Sequence, residues 1–378
     1  MLNELSSISI EELANTCINT IKSNIVSLKK LNILILGKSG VGKSTLINSV
    51  FREELADTGI GRPVTPKIRE IKKEGFPLTI YDTKGLELGK EAQDEVKEEV
   101  AELIKEGLYS ADVNKCIHCI WYCINTMSNR VEPEEIEWIK SLSNSSDINK
   151  VPIIVILTNS VFESKAEEMK KVIVEENLPI KSVVSVLAQE YIEDETVFKS
   201  KGLDKLINVM AQVLPDELQN TLQNVQKASL KHKRKLADKA VTTAAASAVA
   251  AGVTPIPFAD SMVLIPIQIT MMASITAIYG IEVDKALLAT FVSSVLGTGG
   301  ATIAGKTIVS NLLKLVPGVG SVAGGLISGG TAGALTTALG KAYIKLIEMV
   351  YKGEFKSSDL NTELGKEKMK EILKAEKV

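Results

Sequence analysis

The sequence predicts an α/β protein: a doubly wound, mostly parallel sheet, preceded by an N-terminal helix and followed by an all-α C-terminal domain. Three observations carry this expectation. Between residues 31 and 214, short apolar runs alternate with amphipathic helical stretches, which argues for a parallel sheet covered on both faces. A glycine-rich stretch, Gly37-Lys38-Ser39-Gly40-Val41-Gly42-Lys43-Ser44, sits between one apolar run and the next helix. Residues 240–345 are poor in charge and rich in Ala, Gly, Thr and Val, unlike the rest of the chain. The boundaries that follow are a helix over 1–30, an α/β domain over 31–214, a basic helical linker over 215–240, an apolar Ala/Gly-rich helical domain over 241–352 and a charged helix over 353–378.

Taken in order, residues 9–30 form an amphipathic helix with Ser9 as cap and Glu11 and Glu12 in the first turn. Leu13, Cys17, Ile21, Ile25 and Leu28 lie on one stripe, which packs on the nucleotide domain, on the C-terminal helices or on a partner helix. Leu31 to Leu36 reads as a buried strand and Ser44 to Val50 as the first turns of a helix. Between them the spacing of glycine, four residues, glycine, lysine and serine is that of a phosphate-binding loop. Glycines let successive backbone N–H groups curl around phosphate oxygens, and the helix N-terminus adds partial positive charge. In this pattern Lys43 reaches the β- and γ-phosphates and the Ser44 hydroxyl ligates Mg²⁺, with Thr45 following.

The loop from Thr58 to Pro66 holds two glycines and two prolines. Nucleotide switches place a threonine there to complete the Mg²⁺ shell; Thr65 is the first candidate and Thr58 the second. Ile68 to Glu74 and Leu78 to Tyr81 read as paired strands that deliver Asp82-Thr83-Lys84-Gly85 at a strand end. Asp82 is placed to hold the Mg²⁺ shell and Gly85 to meet the γ-phosphate. Glu91 to Tyr109 is a charged helix with Val96, Val100, Leu103 and Leu108 on its apolar side. Strand 116–124 is followed by a loop containing Arg130, read as a surface residue rather than a phosphate finger, and then by a helix opened by Pro133. Val151 to Leu157 is another strand, ending in Thr158-Asn159-Ser160-Val161. Residues 164–175 form a helix, Val183 to Leu187 the last strand, and Gly202 to Ile207 open the closing helix.

Cys116, His118, Cys119 and Cys123 fall close together, but strand alternation sends them to opposite faces. Buried free thiols in a reducing compartment are the better reading. The net charge of −2 gives no global field for nucleic acid, and 4% aromatic residues offer few stacking platforms. Met1 to Leu5 lack a basic region followed by an apolar run, so a cytoplasmic protein without a secretory leader is expected.

With Gly37 to Thr45, Thr65, Asp82 to Gly85 and their strand order in place, residues 31–214 resemble the Era-like P-loop GTPases of the translation-factor-related (TRAFAC) class. Trp121 to Asn125 ahead of Glu134 to Ile139 resembles the bacterial ribosome-binding type. The resemblance implies a Ras-like fold, GTP/GDP and Mg²⁺ as cofactors, and slow GTP hydrolysis stimulated by a partner or by a nucleotide-dependent dimer. It makes Lys43 and Thr65 the catalytic candidates. Gly37, Lys38, Ser39, Gly40, Val41, Gly42, Lys43, Ser44, Thr45, Asp82, Gly85, Thr158, Asn159 and Ala188 are the nucleotide-binding set, and Ser44, Thr65 and Asp82 the metal set. Two departures stand out. Leu86 occupies the place of the glutamine that orients water in Ras-like enzymes. Thr158-Asn159-Ser160-Val161 aligns with the guanine-reading Asn-Lys-x-Asp but has no aspartate, which removes a bidentate base contact.

Between Lys239 and Glu282 the only charge is Asp260, and Ser261 to Ile281 is 21 residues without one. Two proline-broken helical hairpins are expected, with Val253 to Pro257 echoed by Leu315 to Val319. The pairs Gly320/Gly324, Gly325/Gly329 and Gly329/Gly333 are spaced for close helix approach in lipid. Lys227, Lys231-His232-Lys233-Arg234-Lys235 and Lys239 suit an anionic membrane surface, RNA or simply a solvated helix face. Three readings stand: association with membrane lipids, peripheral or integral at an inner membrane face; a soluble helical bundle packed on the GTPase; and a pore or oligomer that forms only on nucleotide binding. The tail resembles a helical domain of unknown function behind bacterial GTPases and, distantly, the immunity-related GTPases. A ribosome- or RNA-associated GTPase and a non-catalytic nucleotide-binding scaffold are the alternatives to a membrane-linked switch.

Overall fold

The computed structural model describes residues 8–53, 55, 62–83, 89–144, 148–251, 260–296, 302–303, 329–356 and 371. They form two compact units, Leu28–His232 and a second made of Met1–Ser27 with Lys233–Val378.

In the unit Leu28–His232 the strands are β1 (Leu31–Leu36), β2 (Arg62–Pro63), β3 (Ile68–Lys72), β4 (Leu78–Thr83), β5 (Cys119–Asn125), β6 (Ile153–Thr158) and β7 (Ser182–Ser185). They lie side by side in the order β2-β3-β4-β1-β5-β6-β7. β3 is antiparallel to both its neighbours and the remaining pairs are parallel, so the sheet is mostly parallel. Leaving aside the two-residue edge β2, this is the Ras-like arrangement that the resemblance implied. The helices are α2 (Lys43–Val50), α3 (Gly89–Tyr109), α4 (Pro133–Asn144), α5 (Glu163–Glu175), α6 (Leu203–Val213) and α7 (Gln219–Val225); α1 (Ile10–Val26) belongs to the other unit.

Why the central strands read as unbroken apolar runs is visible in their two faces. Leu31, Ile33 and Ile35 pack with Leu46, Ile47 and Val50 of α2 and with Leu206, Ile207 and Met210 of α6. Leu34 and Leu36 pack the other way, with Val96, Val100 and Ile104 of α3 and Ile136 and Ile139 of α4. Strand residues alternate faces, so a strand covered on both sides must be apolar at every position. Asn32 is the polar member of β1 and is buried; its Nδ2 donates to the Asn114 and Cys116 carbonyls, both at 2.8 Å.

Some boundaries differ from expectation. β5 starts at Cys119 because Val113–Lys115 form a single 3₁₀ turn, with the Asp112 carboxylate accepting the Asn114 N–H. Cys119 and Cys123 are buried in the sheet, whereas the Cys116 thiol lies against the Gly107 carbonyl at 3.4 Å. His118 Nδ1 accepts the Asn32 N–H at 3.0 Å, which ties that ring to β1. A two-stranded hairpin, β8 (Tyr191–Glu193) with β9 (Thr196–Phe198), follows β7 and had no counterpart in the sequence reading.

The second unit is helical: α1 (Ile10–Val26), α8 (Leu230–Ala251), α9 (Asp260–Tyr279), α10 (Lys285–Leu296) and α11 (Gly329–Tyr351), the first three residues of α8 belonging to the other unit. The stripe of α1 is buried at Leu13, Ala14, Cys17 and Ile21, and this helix packs on α9 and α10. Of the three partners the stripe allowed, the C-terminal helices are the ones that take it. Burial pushes the Cys17 thiol up to about 12, so it stays protonated.

α9 carries the uncharged run and is buried along Met271, Met272, Ala273, Ile275, Ala277, Ile278 and Tyr279. A helix apolar on all sides is one enclosed by neighbours, in a core or in lipid. Here α1 and α11 enclose it, and among the described residues no helix is long and apolar enough to cross a membrane. Lys233 is fully buried and donates to the Ile278 and Tyr279 carbonyls at 2.9 and 3.1 Å, capping α9 where its dipole is negative. Close approach by glycine occurs in this unit between α11 and α8. A Cβ on Gly340 would lie 2.5 Å from Val241 Cγ2, and one on Gly333 2.6 Å from Val249 Cγ2. Gly320, Gly324 and Gly325, and the proline-containing segments 253–257 and 315–319, lie outside the described residues.

Candidate nucleotide-binding site

β1 ends at Leu36 and the chain turns at once into the glycine loop. Gly37 has φ 140°, and a Cβ there would sit 2.5 Å from the Cys123 carbonyl of β5. Gly40 and Gly42 have φ 75° and 93°, a left-handed backbone that other residues adopt only with strain. A Cβ at Gly40 would meet no atom within 4 Å, so among the described residues the loop is open on that side. α2 starts at Lys43 with Gly42 as its N-cap and no side-chain cap, which leaves its first-turn N–H groups to whatever enters the loop. Ser39 and Ser44 are exposed, and Thr45 half-buried. Lys43 Nζ donates to the Gly37 carbonyl at 2.7 Å and the Lys38 carbonyl at 3.0 Å, which arches its chain across the loop.

Two neighbours hold the loop from beneath. The Thr158 hydroxyl lies 2.5 Å from the Val41 carbonyl and 3.1 Å from the Ile124 carbonyl, tying β6 to the loop and to β5. Thr158 is buried, so it supports the loop and does not face its open side. Lys38 Nζ stands 4.0 Å from the carboxylate of Glu135, a buried residue at the start of α4. Burial raises the pKa of that carboxyl, and its Oε2 accepts the Glu132 N–H at 3.0 Å.

At the strand ends, Asn159 has φ 51° and its Nδ2 donates to Asn125 Oδ1 at 3.1 Å. Its amide lies 3.6 Å from where a Gly42 Cβ would be, so it does border the loop. Val161, which stands where a base-reading aspartate would align, is 3% exposed. Ala188 is partly buried and packs on the apolar core. It follows Leu187, whose N–H and carbonyl pair with Lys201 at the base of the hairpin.

The two remaining metal candidates are engaged by protein groups. Asp82, at the end of β4, meets Arg69 Nη2 of β3 at 3.2 Å. The Thr65 hydroxyl donates to Glu99 Oε2 of α3 and accepts the Ile68 N–H at 3.0 Å. Thr58, Gly85 and Leu86 lie outside the described residues. Sequence reasoning passed over Glu99, Arg69, Asn125 and Glu135. Arg69 becomes visible only through its register opposite Asp82, and Glu99 only once α3 is packed.

The residues fit a phosphate group with Mg²⁺. The open glycine loop, the uncapped helix start and Lys43 are donors in the arrangement a polyphosphate needs, and Ser44, Thr65 and Asp82 are oxygen donors suited to a hard cation.

Residues 32–184 match the family model described as 50S ribosome-binding GTPase, and residues 217–375 match a domain of unknown function, DUF697. Neuronal-specific septin-3 of Rattus norvegicus is 27% identical over 188 residues, 43% of this chain and 51% of its own length. The tRNA modification GTPase MnmE of Clostridioides difficile is 31% identical over 180 residues, 47% of this chain and 35% of its own. Magnetosome membrane protein 22 of Magnetospirillum gryphiswaldense is 31% identical over 102 residues, 27% of this chain and 52% of its own. The chain thus spans about half or less of each of these relatives. They support the GTPase family without selecting its Era-like branch.

Proposed function

We propose that the chain, a GTPase-family domain joined to a DUF697 domain, is a GTP-binding and GTP-hydrolysing switch that requires Mg²⁺. The observation that carries this is the glycine loop, with positive φ at Gly37, Gly40 and Gly42 and Lys43 folded across it. In this reading the loop N–H groups and Lys43 neutralise the β- and γ-phosphate charge. Ser44, Thr65 and Asp82 hold Mg²⁺, which supplies further charge compensation in the transition state. Thr158 and Glu135 keep the loop in shape from below. Asn159 borders the base end of the loop in place of the lysine of the family motif, and Ala188 presents its backbone to the base. With no aspartate at Val161, guanine is favoured by the family match rather than by a carboxylate, so selectivity over adenine is modest.

The test is the affinity of full-length protein for GTP and for ATP, with Lys43→Ala alongside. Loss of a charge-assisted contact weakens GTP binding by about tenfold or more. Equal affinity for the two nucleotides overturns the guanine assignment, and undiminished binding by Lys43→Ala overturns the site.

A peripheral membrane role is the second part of the proposal. It is favoured by Lys231, Lys235 and Lys239, exposed at every fourth residue along α8, a stripe suited to anionic headgroups. The printed name of the Magnetospirillum relative points the same way. Failure of the GTP-loaded protein to sediment with phosphatidylserine liposomes at low salt removes this part and leaves the switch intact.

A further inference from the structure

We infer that Glu99 and Arg69 are positioning residues that set how much Mg²⁺ the protein requires before it retains a nucleotide. The inference rests on the reading above and concerns the same site. Thr65 and Asp82, the two metal candidates that lie outside the glycine loop and α2, are each held by another side chain.

Thr65 lies on the segment between β2 and β3, and that segment docks on one face of α3. Glu99 Oε2 accepts a hydrogen bond from the Thr65 hydroxyl and another from the Lys67 N–H at 3.1 Å. One helical turn earlier on the same face, Glu95 meets Lys67 Nζ at 3.2 Å. That second pair is mostly exposed on the Glu95 side and holds little by itself. The Thr65–Glu99 contact is half-buried, and it engages the hydroxyl proton while the Ile68 N–H takes one oxygen lone pair. To ligate a cation, Thr65 must turn its oxygen away from α3, and the 65–67 segment goes with it.

Asp82 is restrained by a different element. Arg69 and Asp82 are directly opposite in the antiparallel β3–β4 ladder, so the register itself delivers the guanidinium to the carboxylate. The two side chains are 32% and 15% exposed, which keeps the positive charge close to the oxygen a divalent cation would approach. A cation entering there must displace Arg69 or endure its repulsion.

Two independent restraints therefore oppose cation entry, one by holding a hydroxyl and one by occupying a carboxylate. A ligand shifts such an equilibrium only by its differential affinity for the two arrangements. Weakening either restraint should lower the Mg²⁺ concentration at which nucleotide is held.

The experiment uses the full chain and N-methylanthraniloyl-GTP, with fluorescence anisotropy followed during a MgCl₂ titration. Glu99→Gln and Arg69→Gln are each expected to lower the Mg²⁺ midpoint by about fivefold or more, and the double variant further still. Adding Thr65→Ala should abolish the gain from Glu99→Gln and leave the gain from Arg69→Gln. A merely structural role would lower the melting temperature without lowering the midpoint. If Glu99→Gln does not fold, Glu99→Asp, which shortens the arm and keeps the charge, should lower the midpoint by a smaller factor. Midpoints at or above wild type in folded variants at both positions overturn the inference alone. Wild type that retains no nucleotide at any Mg²⁺ concentration overturns both the inference and the switch.

Discussion

His118 shows how one side chain joins sequence, burial and pH. It sits just ahead of β5, is buried, and its Nδ1 accepts the Asn32 N–H. That bond needs an unprotonated nitrogen, and burial lowers the ring's pKa from its ordinary value of 6.5. Well above pH 6.5 the ring is neutral in both folded and unfolded chains, so it adds no pH slope there. Below that value the unfolded chain binds a proton that the folded ring resists, so stability falls as the pH falls. Thermal melts of the wild type between pH 7 and 5 should show this decline, and His118→Gln should flatten it. Parallel curves for the two proteins would show that His118 is not the titrating group. The site residues differ in how far they could be read ahead. The shape of the glycine loop, with Lys43 folded back across it, was legible because it is local: positive-φ glycines and one amine within eight residues. Thr158 was legible as a position but not as a role, since its hydroxyl is directed by a carbonyl more than a hundred residues away in sequence. Glu99 gave no signal at all, because on a helix rich in Glu and Lys every carboxylate looks like a solvated face.

At the scale of elements, periodicity distinguished strands from helices well but gave no account of what enclosed them. β1, β5 and β6 are almost wholly apolar, apart from Asn32 and the terminal Asn125 and Thr158, because both faces are covered, and their runs were read correctly as buried strands. α9 is uncharged after Asp260 and mostly apolar, and there a sequence cannot tell lipid from neighbouring helices, since both satisfy the same side chains. The glycines of α11 have the same ambiguity. Small residues allow close backbone approach in either medium, and here Gly333 and Gly340, seven residues apart, face Val249 and Val241 of α8. Gly340 also has Met271 Sδ of α9 2.9 Å from where its Cβ would be, so three helices crowd that point. Gly340→Leu should destabilise the helical unit by about 1–3 kcal/mol through overpacking. Gly340→Ala should cost less, because it adds one methyl rather than a leucine side chain and alanine favours the helix over glycine by about 1 kcal/mol. Val241, 2.5 Å from the new Cβ, must still shift. Circular dichroism melts of the two variants would check the order, and a leucine variant as stable as wild type would contradict the packing described.

At the scale of the whole molecule, the two units differ in how the chain builds them. Leu28–His232 is one continuous stretch, with its strands and the covering helices α2–α7 all inside it. The helical unit is discontinuous, because Met1–Ser27 belongs with Lys233–Val378. α1 is made first, yet α9 and α10, on which it packs, come after the whole unit Leu28–His232. Such non-local pairing is slow, because loop closure must precede any gain from burial. A fragment of residues 28–232 should therefore melt cooperatively and bind nucleotide as the full chain does. A fragment of residues 233–378 should lack the cover on α9 and α10, bind a hydrophobic dye and melt less cooperatively. Adding a peptide of residues 1–27 in trans should suppress the dye signal and raise the melting temperature. A peptide carrying Cys17→Asp should not, because the ordinary carboxylate pKa lies below neutrality and the charge would be buried. If the 233–378 fragment is equally stable with and without the peptide, α1 is an accessory to the helical unit and not a part of its core.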